Sequence, residues 1–343
     1  MLEALNILIL AGGCSEEREV SLASARAVTA TLQKLGHRVK AIDPASGCSL
    51  LDERGRYLLE EDLESDSRIS LKRLDSVALT TSIGLADHQD IDLVFLALHG
   101  GSGEDGTIQA ILDIAGMKYT GSGMLASAIS MNKAFAKRIL RREKIPTPDW
   151  LLVKITDRED IAGHIPEIMK RFAFPLIVKP NNSGSTIGLT LVKKEIQLPG
   201  ALADAADINA EVLIEQYIKG REITGSVLEG DALPLVEIIP SGDLYDYQCK
   251  YTKGKSQYVC PADIAADLTA EIQHLARRAY RLIGCSGLVR IDFILDQRNR
   301  PFFLEVNTLP GMTELSLAPM AAGEAGIDFD ELVQRMCEAA LEK

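Results

Sequence analysis

The sequence lacks the features of membrane and secreted proteins. No stretch reaches the roughly 18 apolar residues of a membrane span, and the first apolar run, residues 5–10, has no basic leader and stops at Gly12 and Gly13. The six cysteines are scattered and form no C-x-x-C pair, which is typical of reduced thiols rather than of a disulfide framework. We therefore expect a cytoplasmic protein.

Positive charge is also scarce. The net charge of -12 argues against nucleic acid as a partner, because binding to a phosphate backbone depends on clustered Lys and Arg. The lysines at 250, 253 and 255 form too short a cluster to reverse that balance. An anionic ligand must then be bound by single lysines, by backbone amides or through a metal ion.

The common nucleotide and hydrolase motifs are missing. Gly254-Lys255-Ser256 looks like the end of a P-loop, but position 249 is Cys rather than Gly. The turn at Gly12 lacks the later glycines of a Rossmann fingerprint, and no H-E-x-x-H, G-x-S-x-G or H-R-D pattern occurs. A nucleotide, if one binds, is held by another architecture.

The 343 residues suffice for two or three lobes around a cleft. In the first third, short apolar runs alternate with helical patterns, which predicts a parallel sheet. The polar residues 46–92 read as an elaboration of that sheet. The predicted strands and helices of this lobe cover residues 5–10, 20–35, 39–42, 93–98 and 107–115.

A helix predicted over residues 124–143 ends at Pro146 and Pro148. The next lobe shows strands with few helices between them, which favours antiparallel pairing, and residues 181–184 form a hairpin loop. A third lobe begins near Val212 and contains a helix at 265–283. The strands predicted for these two lobes cover residues 150–153, 176–179 and 187–192, then 212–216, 223–228 and 233–239.

Two strands near the C-terminus carry the clearest pattern. In GLVRIDFIL (residues 287–295) the apolar side chains alternate with Arg290 and Asp292, which therefore share one face. In FFLEVNT (residues 302–308), Glu305 and Asn307 face one way, while Leu304 and Val306 face the other. Oxygen-rich pockets of this kind suit Mg²⁺ that bridges nucleotide phosphates. The alternative is a solvated strand face with ordinary charges.

Three glycine-rich turns follow or precede predicted strands, at residues 12–13, 99–106 and 184–185. Their amides could bind anions, although each turn taken alone is more often a plain connection. Lysines supply positive charge nearby. Lys179 ends a buried apolar strand and so needs an anionic partner, whereas Lys133 and Lys250 could equally be exposed side chains.

These motifs coincide in order with one family. The sequence resembles the D-alanine:D-alanine ligases of the ATP-grasp superfamily from Asn6 to near Leu341, except at about 45–90. The segments that carry the resemblance are GGCSEEREVSL (12–22), LHGGSGEDGTIQ (98–109), YTGSG (119–123), MNK (131–133), VKPNNSGSTIG (178–188), IEQYIKGRE (214–222), YDYQCKY (245–251), GLVRIDF (287–293) and EVNTLPGMTELSL (305–317).

The resemblance implies an α/β, ATP-grasp (α+β) fold with a parallel-sheet lobe and two mixed lobes that enclose an ATP cleft. The domains would be residues 1–121, 122–213 and 214–343. The implied reaction joins two D-alanines through an acyl phosphate, with ATP and two Mg²⁺ ions (Mn²⁺ possible), for peptidoglycan synthesis. The partners would be D-alanine, ATP and a second copy of the chain, with no nucleic acid and no membrane.

The resemblance also assigns residues to the nucleotide end of the cleft. Two lysines, Lys133 and Lys179, would contact the ATP phosphates, and Lys250 would meet the transferred phosphate. Glu215, Gln216 and Tyr217 would line the adenine pocket, and Glu222 would hold the ribose. The two magnesium ions would be bound by Asp292, Glu305 and Asn307.

At the amino-acid end, Glu17 would pair with the ammonium of the first D-alanine, in a hydrogen-bonded trio with Ser185 and Tyr251. His99 would lie nearby. Arg290 and the amide of Gly311 would stabilise the tetrahedral oxyanion. Ser316 and the amide of Leu317 would bind the carboxylate of the second D-alanine, and the loop 244–261 would exclude water as a lid.

Several residues bear on the choice of the second substrate. Tyr251 points to an amine acceptor, because ligases that make D-alanyl-D-lactate commonly carry His there. Gln216, Ser183, Thr186 and Glu314-Leu315 depart from the usual family residues. Two alternatives stay open: a ligase for another pair, such as D-Ala-D-Ser or L-amino acids, and a non-catalytic nucleotide-binding sensor.

Overall fold

The computed structural model describes residues 3–58, 90–240, 256–313 and 316–343. Within these ranges the strands form three sheets. No helix in this part of the chain is long and apolar enough to cross a membrane. Lys250, Tyr251, Glu314, Leu315 and most of the predicted lid lie outside the described residues.

The first sheet is parallel at its centre, as the sequence predicts. The order is β3-β2-β1-β4, and β1 pairs in parallel with β2 and β4, while the short β3 adds an antiparallel edge. Helices cover both faces, so the central strands are almost wholly apolar. The elements are β1 (Asn6–Leu10), α1 (Arg18–Lys34), β2 (Arg38–Asp43), β3 (Cys48–Ser49), β4 (Leu93–Leu96) and α2 (Thr107–Ile114).

The second sheet is antiparallel throughout, which confirms the predicted pairing. Its order is β5-β8-β6-β7. The expectation that residues 212–216 open the third lobe is wrong, because this strand lies between β5 and β6 and pairs with both. The strands are β5 (Trp150–Lys154), β6 (Leu176–Pro180), β7 (Thr190–Val192) and β8 (Glu211–Gln216).

Two helices in this lobe escaped the sequence analysis: α5 (Asp160–Arg171) and α6 (Leu198–Ile208). Both contain residues of low helix propensity, including Pro166 within α5. Their apolar side chains nevertheless pack on the sheet, as Ile168 and Leu202 do. Burial of this face outweighs the local propensity, and the lobe is a sheet with helices rather than mostly strands.

The third sheet has the order β12-β11-β9-β13-β14, with β10 beside β9. Its long central strands β9 and β13 stay paired over nine residues, and helix α7 packs against their apolar face. The elements are β9 (Gly220–Leu228), β10 (Asp231–Ala232), β11 (Val236–Pro240), β12 (Ser256–Val259), α7 (Ala266–Ile283), β13 (Leu288–Asp296) and β14 (Pro301–Asn307).

The C-terminal helices α8 (Leu317–Glu324) and α9 (Phe329–Leu341) join the first lobe to the third sheet. One continuous apolar core includes Leu32 of α1, Met336 of α9 and Leu288 of β13. The amino-terminal lobe and the paired strands near the C-terminus are therefore held together by a shared core.

The predicted helix over residues 124–143 is in fact two helices, α3 (Met124–Met131) and α4 (Lys133–Arg142). Asn132 between them has an extended backbone, and its side chain accepts a hydrogen bond from the amide of Phe135. Asn is a favoured N-cap because its side chain satisfies an amide that the helix leaves unpaired. The break makes Lys133 the first residue of a new helix.

The strand β14 also differs from the prediction. Asp292 lies opposite Glu305, but the next residue, Phe293, lies opposite Phe303, so Leu304 is an extra residue in a β-bulge. As a result, Leu304 and Glu305 line one cavity together, and the prediction that Leu304 faces away from Glu305 is wrong. Periodicity alone does not reveal a bulge.

Candidate active site

Three neighbouring cavities form one cleft between the sheets. The first, of about 440 Å³, shares Lys133 and Glu305 with the second. The second shares Lys179, Glu222 and Leu304 with the third, of about 320 Å³. Of the predicted site residues, the first cavity is lined by Glu17, His99, Lys133, Ser185, Arg290, Glu305, Asn307, Gly311, Ser316 and Leu317, and the third by Lys179, Glu215, Gln216, Tyr217 and Glu222.

Glu17 lies at the start of α1 and is buried at the wall of the first cavity. Its carboxylate accepts a hydrogen bond from the hydroxyl of Ser185, which is 168 residues away in the chain. The fold therefore brings together two members of the predicted trio. The third, Tyr251, lies outside the described residues.

Two glycines make room for this carboxylate. A Cβ atom built on Gly100 or on Gly184 would lie 2.6 Å from Glu17 Oε2, closer than real Cβ contacts allow. Gly100 also has a φ of 64°, a conformation that favours glycine. The glycine-rich segments at 99–106 and 184–185 thus fit around an acidic side chain.

The amides of two predicted anion-binding turns bind carboxylates of the protein itself. Gly13 N donates to Asp43 Oδ1 at 3.0 Å, and Gly100 N donates to Glu104 Oε2 at 2.8 Å. Both amides are therefore occupied by acidic side chains of the protein. They have a structural role, and the expectation that these two amides bind a ligand is wrong.

His99 is buried beside Glu17, with both ring nitrogens engaged. Nδ1 lies 2.9 Å from the carbonyl oxygen of Leu309, and Nε2 lies 3.2 Å from Ser24 Oγ, which accepts from the amide of Met312 at 3.0 Å. This network assigns the Nδ1–H tautomer. Burial lowers the pKa of His99 despite the nearby Glu17 carboxylate. His99 therefore fixes the loop 309–312, which carries Gly311.

Glu104 is not among the site residues predicted from the sequence, although it lies within the HGGSGEDG segment. Its carboxyl group is buried at the cavity wall and accepts hydrogen bonds from the amides of Gly100 and Leu309. Burial and the neighbouring Glu17 raise its pKa from 4.5 to about 8. Its position as an acidic residue inside a glycine turn was the only sequence feature that could have indicated a place at the site.

At the centre of the cleft, the side chains of two paired strands meet. Asp292 and Glu305 are cross-strand partners, as are Arg290 and Asn307. Asp292 accepts hydrogen bonds from Arg290 at 2.9 Å and from Thr224 at 2.6 Å. Lys133 Nζ lies 3.3 Å from Glu305 Oε2 and donates to the carbonyl of Ser183 at 2.5 Å.

The predicted metal ligands supply suitable donors. Asp292, Glu305 and Asn307 offer two carboxylates and an amide oxygen on adjacent strands, and hard cations prefer such oxygen donors. Within the described ranges no group of three or more His, Cys, Asp or Glu could hold a metal. A bound cation would therefore need the Asn oxygen and oxygens from a ligand in addition to the two carboxylates.

The third cavity combines apolar walls with buried charges. Ile177, Ile218 and Leu304 line it together with Glu215. Glu215 is buried and forms two ion pairs of 2.6 Å, one from Oε2 to Lys179 and one from Oε1 to Lys137. Lys137 is not among the site residues predicted from the sequence.

These three charged groups shift one another's ionisation. Burial alone raises the pKa of Glu215, but Lys137 and Lys179 reverse the effect and lower it. Burial likewise opposes the charge on Lys179, but Glu215 and Glu305 raise its pKa overall. For Lys137, burial prevails and lowers the pKa to about 8. Glu215 is therefore ionised between two ammonium groups.

The start of helix α8 forms the far end of the first cavity. Ser316 Oγ lies 2.8 Å from Thr313 Oγ1 and accepts from the amide of Thr313 at 3.1 Å. A Cβ on Gly311 would lie 2.8 Å from Ser316 Oγ, so this position needs a small residue. The adjoining Glu314 and Leu315 lie outside the described residues.

A parallel-sheet lobe, two antiparallel sheets and a cleft with buried lysines facing paired carboxylates define an ATP-grasp enzyme. Two family models match the chain: "D-ala D-ala ligase N-terminus" at residues 6–122 and "D-ala D-ala ligase C-terminus" at residues 139–338. The chain belongs to the D-alanine–D-alanine ligase family.

Individual relatives match this chain over all or nearly all of their length. A D-alanine–D-alanine ligase of Synechococcus sp. (strain JA-3-3Ab) is 43% identical over 340 residues, covering 99% of this chain and 94% of the relative. One from Gloeobacter violaceus is 41% identical, covering 98% of this chain and all of the relative (100%).

The fold of this chain resembles solved structures of the same family. The D-alanine–D-alanine ligase of Bacillus anthracis complexed with ATP superposes with a TM-score of 0.75 at 31% identity, covering 99% of this chain and 98% of that one. The ligase of Coxiella burnetii superposes with a TM-score of 0.78 at 27% identity, covering 99% and 95%.

Proposed function

We propose that this chain joins two molecules of D-alanine to D-alanyl-D-alanine at the expense of ATP, for peptidoglycan precursor synthesis. One observation carries the proposal. The Glu17–Ser185 pair lies in the same cavity as Arg290 and Gly311, and that cavity continues past Glu305 to Lys179. A site for an amino acid thus adjoins a site for a nucleotide.

At the nucleotide end, Lys133 and Lys179 contact the ATP phosphates, together with Lys250. The apolar walls of the third cavity, with Glu215, Gln216 and Tyr217, hold the adenine, and Glu222 holds the ribose. The support is burial: Lys133 and Lys179 are each at most a tenth exposed and already lie beside a carboxylate, as a desolvated ammonium group requires.

Magnesium fits the centre of the cleft. We assign its binding to Asp292, Glu305 and Asn307, whose oxygens suit a hard cation. When bound, the metal neutralises charge that develops on the phosphoryl group. Lys133 and Arg290, which contact the same carboxylates, add positive charge at this point.

At the other end, Glu17 binds the ammonium group of the first D-alanine, with Ser185 and Tyr251 completing the trio. His99 orients the loop beside it. Ser316 and the amide of Leu317 bind the carboxylate of the second D-alanine, because the first amides of a helix face outward and favour an anion.

The reaction follows from the weak electrophilicity of a carboxylate. An oxygen of the first D-alanine takes the γ-phosphoryl group of ATP, and ADP leaves. The neutral amine of the second D-alanine then attacks the acyl carbon, and Arg290 and the Gly311 amide stabilise the oxyanion. Collapse breaks the bond between the acyl carbon and the phosphate oxygen, and the proton lost by the amine leaves with inorganic phosphate as the peptide bond forms. The loop 244–261 protects the acyl phosphate from water as a lid.

The test is phosphate release by the purified chain with ATP and a panel of D- and L-amino acids, with the product identified by mass spectrometry. We expect release with D-alanine and a product of the mass of D-alanyl-D-alanine. Release with another amino acid but not with D-alanine would support a ligase for a different pair. Nucleotide binding without release for any amino acid would support a sensor.

We further propose that the protein acts in the cytoplasm as a homodimer, as the family resemblance suggests. Light scattering after size exclusion should give about twice the chain mass of 37.3 kDa. A mass equal to that of one chain at micromolar concentration would contradict the dimer without affecting the proposed reaction.

A further inference from the structure

One buried group has no part in the reaction described above. The side chain of Lys137 is fully buried (0% exposed), although lysine is among the residues least often found in a protein interior. It follows Lys133 by one helical turn on α4, so the two lysines lie on the same face of the helix. The ammonium group of Lys137 contacts Glu215 at 2.6 Å and donates to Thr147 Oγ1 at 2.5 Å.

The charges at this point can be counted. Glu215 lies between two lysines, with Lys137 on one carboxylate oxygen and Lys179 on the other, each at 2.6 Å. Two ammonium groups and one carboxylate leave a single net positive charge. With Lys179 and Glu215 alone, the pair would be neutral and would attract a nucleotide phosphate only weakly.

We propose that Lys137 is a positioning residue for the nucleotide: it occupies one oxygen of Glu215, so that Glu215 does not cancel the charge that Lys179 presents to the phosphates. The inference rests on the proposed function, since it takes this cavity to be the ATP site. Glu215 in turn holds Lys179 in place. Lys137 itself lines none of the three cavities and acts through its partner.

The decisive variant is Lys137→Met, which keeps most of the volume and leaves Glu215 paired with Lys179. Calorimetric titration would compare ATP with adenosine, which has the base and ribose but no phosphate. We expect ATP to bind about ten- to thirtyfold more weakly, as for loss of one charged contact. Adenosine should change by less than about twofold.

A double-mutant cycle separates charge from packing. In a Glu215→Gln background there is no Glu215 charge for Lys137 to offset, so Lys137→Met should weaken ATP binding by less than about threefold. In the steady state, the KM for ATP should rise while the KM for D-alanine stays unchanged. Equal weakening of ATP and adenosine, or an equal effect in both backgrounds, would overturn the proposal.

Arg141→Met is the matched control. Arg141 lies one further turn along α4 and stacks on the same Trp150 ring, but it pairs with Asp149 at the surface. ATP affinity should stay within about twofold of wild type, because the charges at Glu215 are unchanged. If Lys137→Met does not fold, Lys137→Gln removes the same charge. The comparison of ATP with adenosine and the double-mutant cycle then test the proposal in the same way.

These outcomes are distinguishable from failure of the proposed function. Nucleotide binding is measured without any amino acid, so a chain that binds ATP but ligates no D-alanine still tests the role of Lys137. Wild-type protein that binds no adenine nucleotide would contradict the proposed function first.

Discussion

The guanidinium group of Arg290 forms a bidentate ion pair with the carboxylate of Asp292, two residues along the same strand, with both shortest contacts at 2.9 Å. Both side chains are largely buried, and Thr224 donates to the same carboxylate. The proposed oxyanion-stabilising residue is thus ion-paired with a proposed metal ligand. Each side chain helps to fix the position of the other.

Replacement of Arg290 by alanine should leave nucleotide binding intact and reduce turnover. Removal of one preorganised donor to an oxyanion typically costs about 10²–10³-fold in kcat. D-alanine-dependent ATP hydrolysis and ATP titration of the same preparation measure the two properties. Arg300→Ala is the control, because Arg300 pairs with Asp296 at the exposed end of the hairpin. Loss of ATP binding in Arg290→Ala would contradict the assignment.

Asp292→Asn and Glu305→Gln should raise the Mg²⁺ concentration needed for half-maximal activity by roughly tenfold or more, on the scale known for metal sites that lose supporting groups. Each substitution removes a negative charge without changing the size of the side chain. Activity measured across a magnesium titration provides the test. Asp296→Asn, at the end of the same strand and paired with Arg300, should leave the midpoint unchanged. Identical midpoints for all variants would argue against a metal at this position.

Gly184→Ala should impair use of D-alanine but not of ATP. The added methyl would lie 2.6 Å from Glu17 Oε2, so the carboxylate must move away from its position beside Ser185. A displacement of this size costs about tenfold to a hundredfold in kcat/KM for the amino acid. Gly163→Ala is the matched control, since a Cβ there meets nothing within 4 Å. Equal kcat/KM values for the two variants would show that the reaction does not depend on the position of the Glu17 carboxylate beside Ser185.

The buried Glu104 should make stability depend on pH. Its pKa rises from 4.5 to about 8 on folding, so the folded chain keeps a proton that the unfolded chain loses. Stability from this group is complete below pH 4.5 and is lost as the pH rises toward about 8.

The comparison for Glu104 is with Glu104→Gln, which cannot ionise. Urea unfolding at pH 5.5 and 8.5 should show wild type losing about 1–3 kcal/mol relative to the variant between the two values. A constant difference between the two proteins at both pH values would mean that Glu104 is ionised in the folded state throughout.

Much of the fold follows from local pattern. The alternation in strand β13 correctly places Asp292 and Arg290 on one face, because side-chain direction in a strand has a fixed period of two. In β14 the same reasoning fails at Leu304, because a bulge inserts one residue and resets the alternation. The helices α5 and α6 were missed because their stabilisation comes from packing on the sheet rather than from local propensity.

The sequence predicted many of the residues at the candidate site but not the contacts between them. The resemblance singled out Glu17 and Ser185, and the glycine pattern itself singled out the turns, yet nothing local shows that Gly100 and Gly184 both border the Glu17 carboxylate. The pairing of Glu17 with Ser185 joins residues 168 positions apart. The position of Glu104 inside a glycine turn was a weak local signal, and Lys137 gave none, because burial of a charged residue is set by its neighbours in space.

The sequence by itself determined the class of fold, the family and the identities of most side chains at the cleft, since these depend on periodicity and on motifs that are contiguous in the chain. Only the tertiary structure decided which charges meet. Lys137 and Lys179 share Glu215, and Arg290 shares Asp292 with Thr224, because separate strands and a helix converge there. Electrostatic effects depend on distance and burial, and neither can be read from the order of residues.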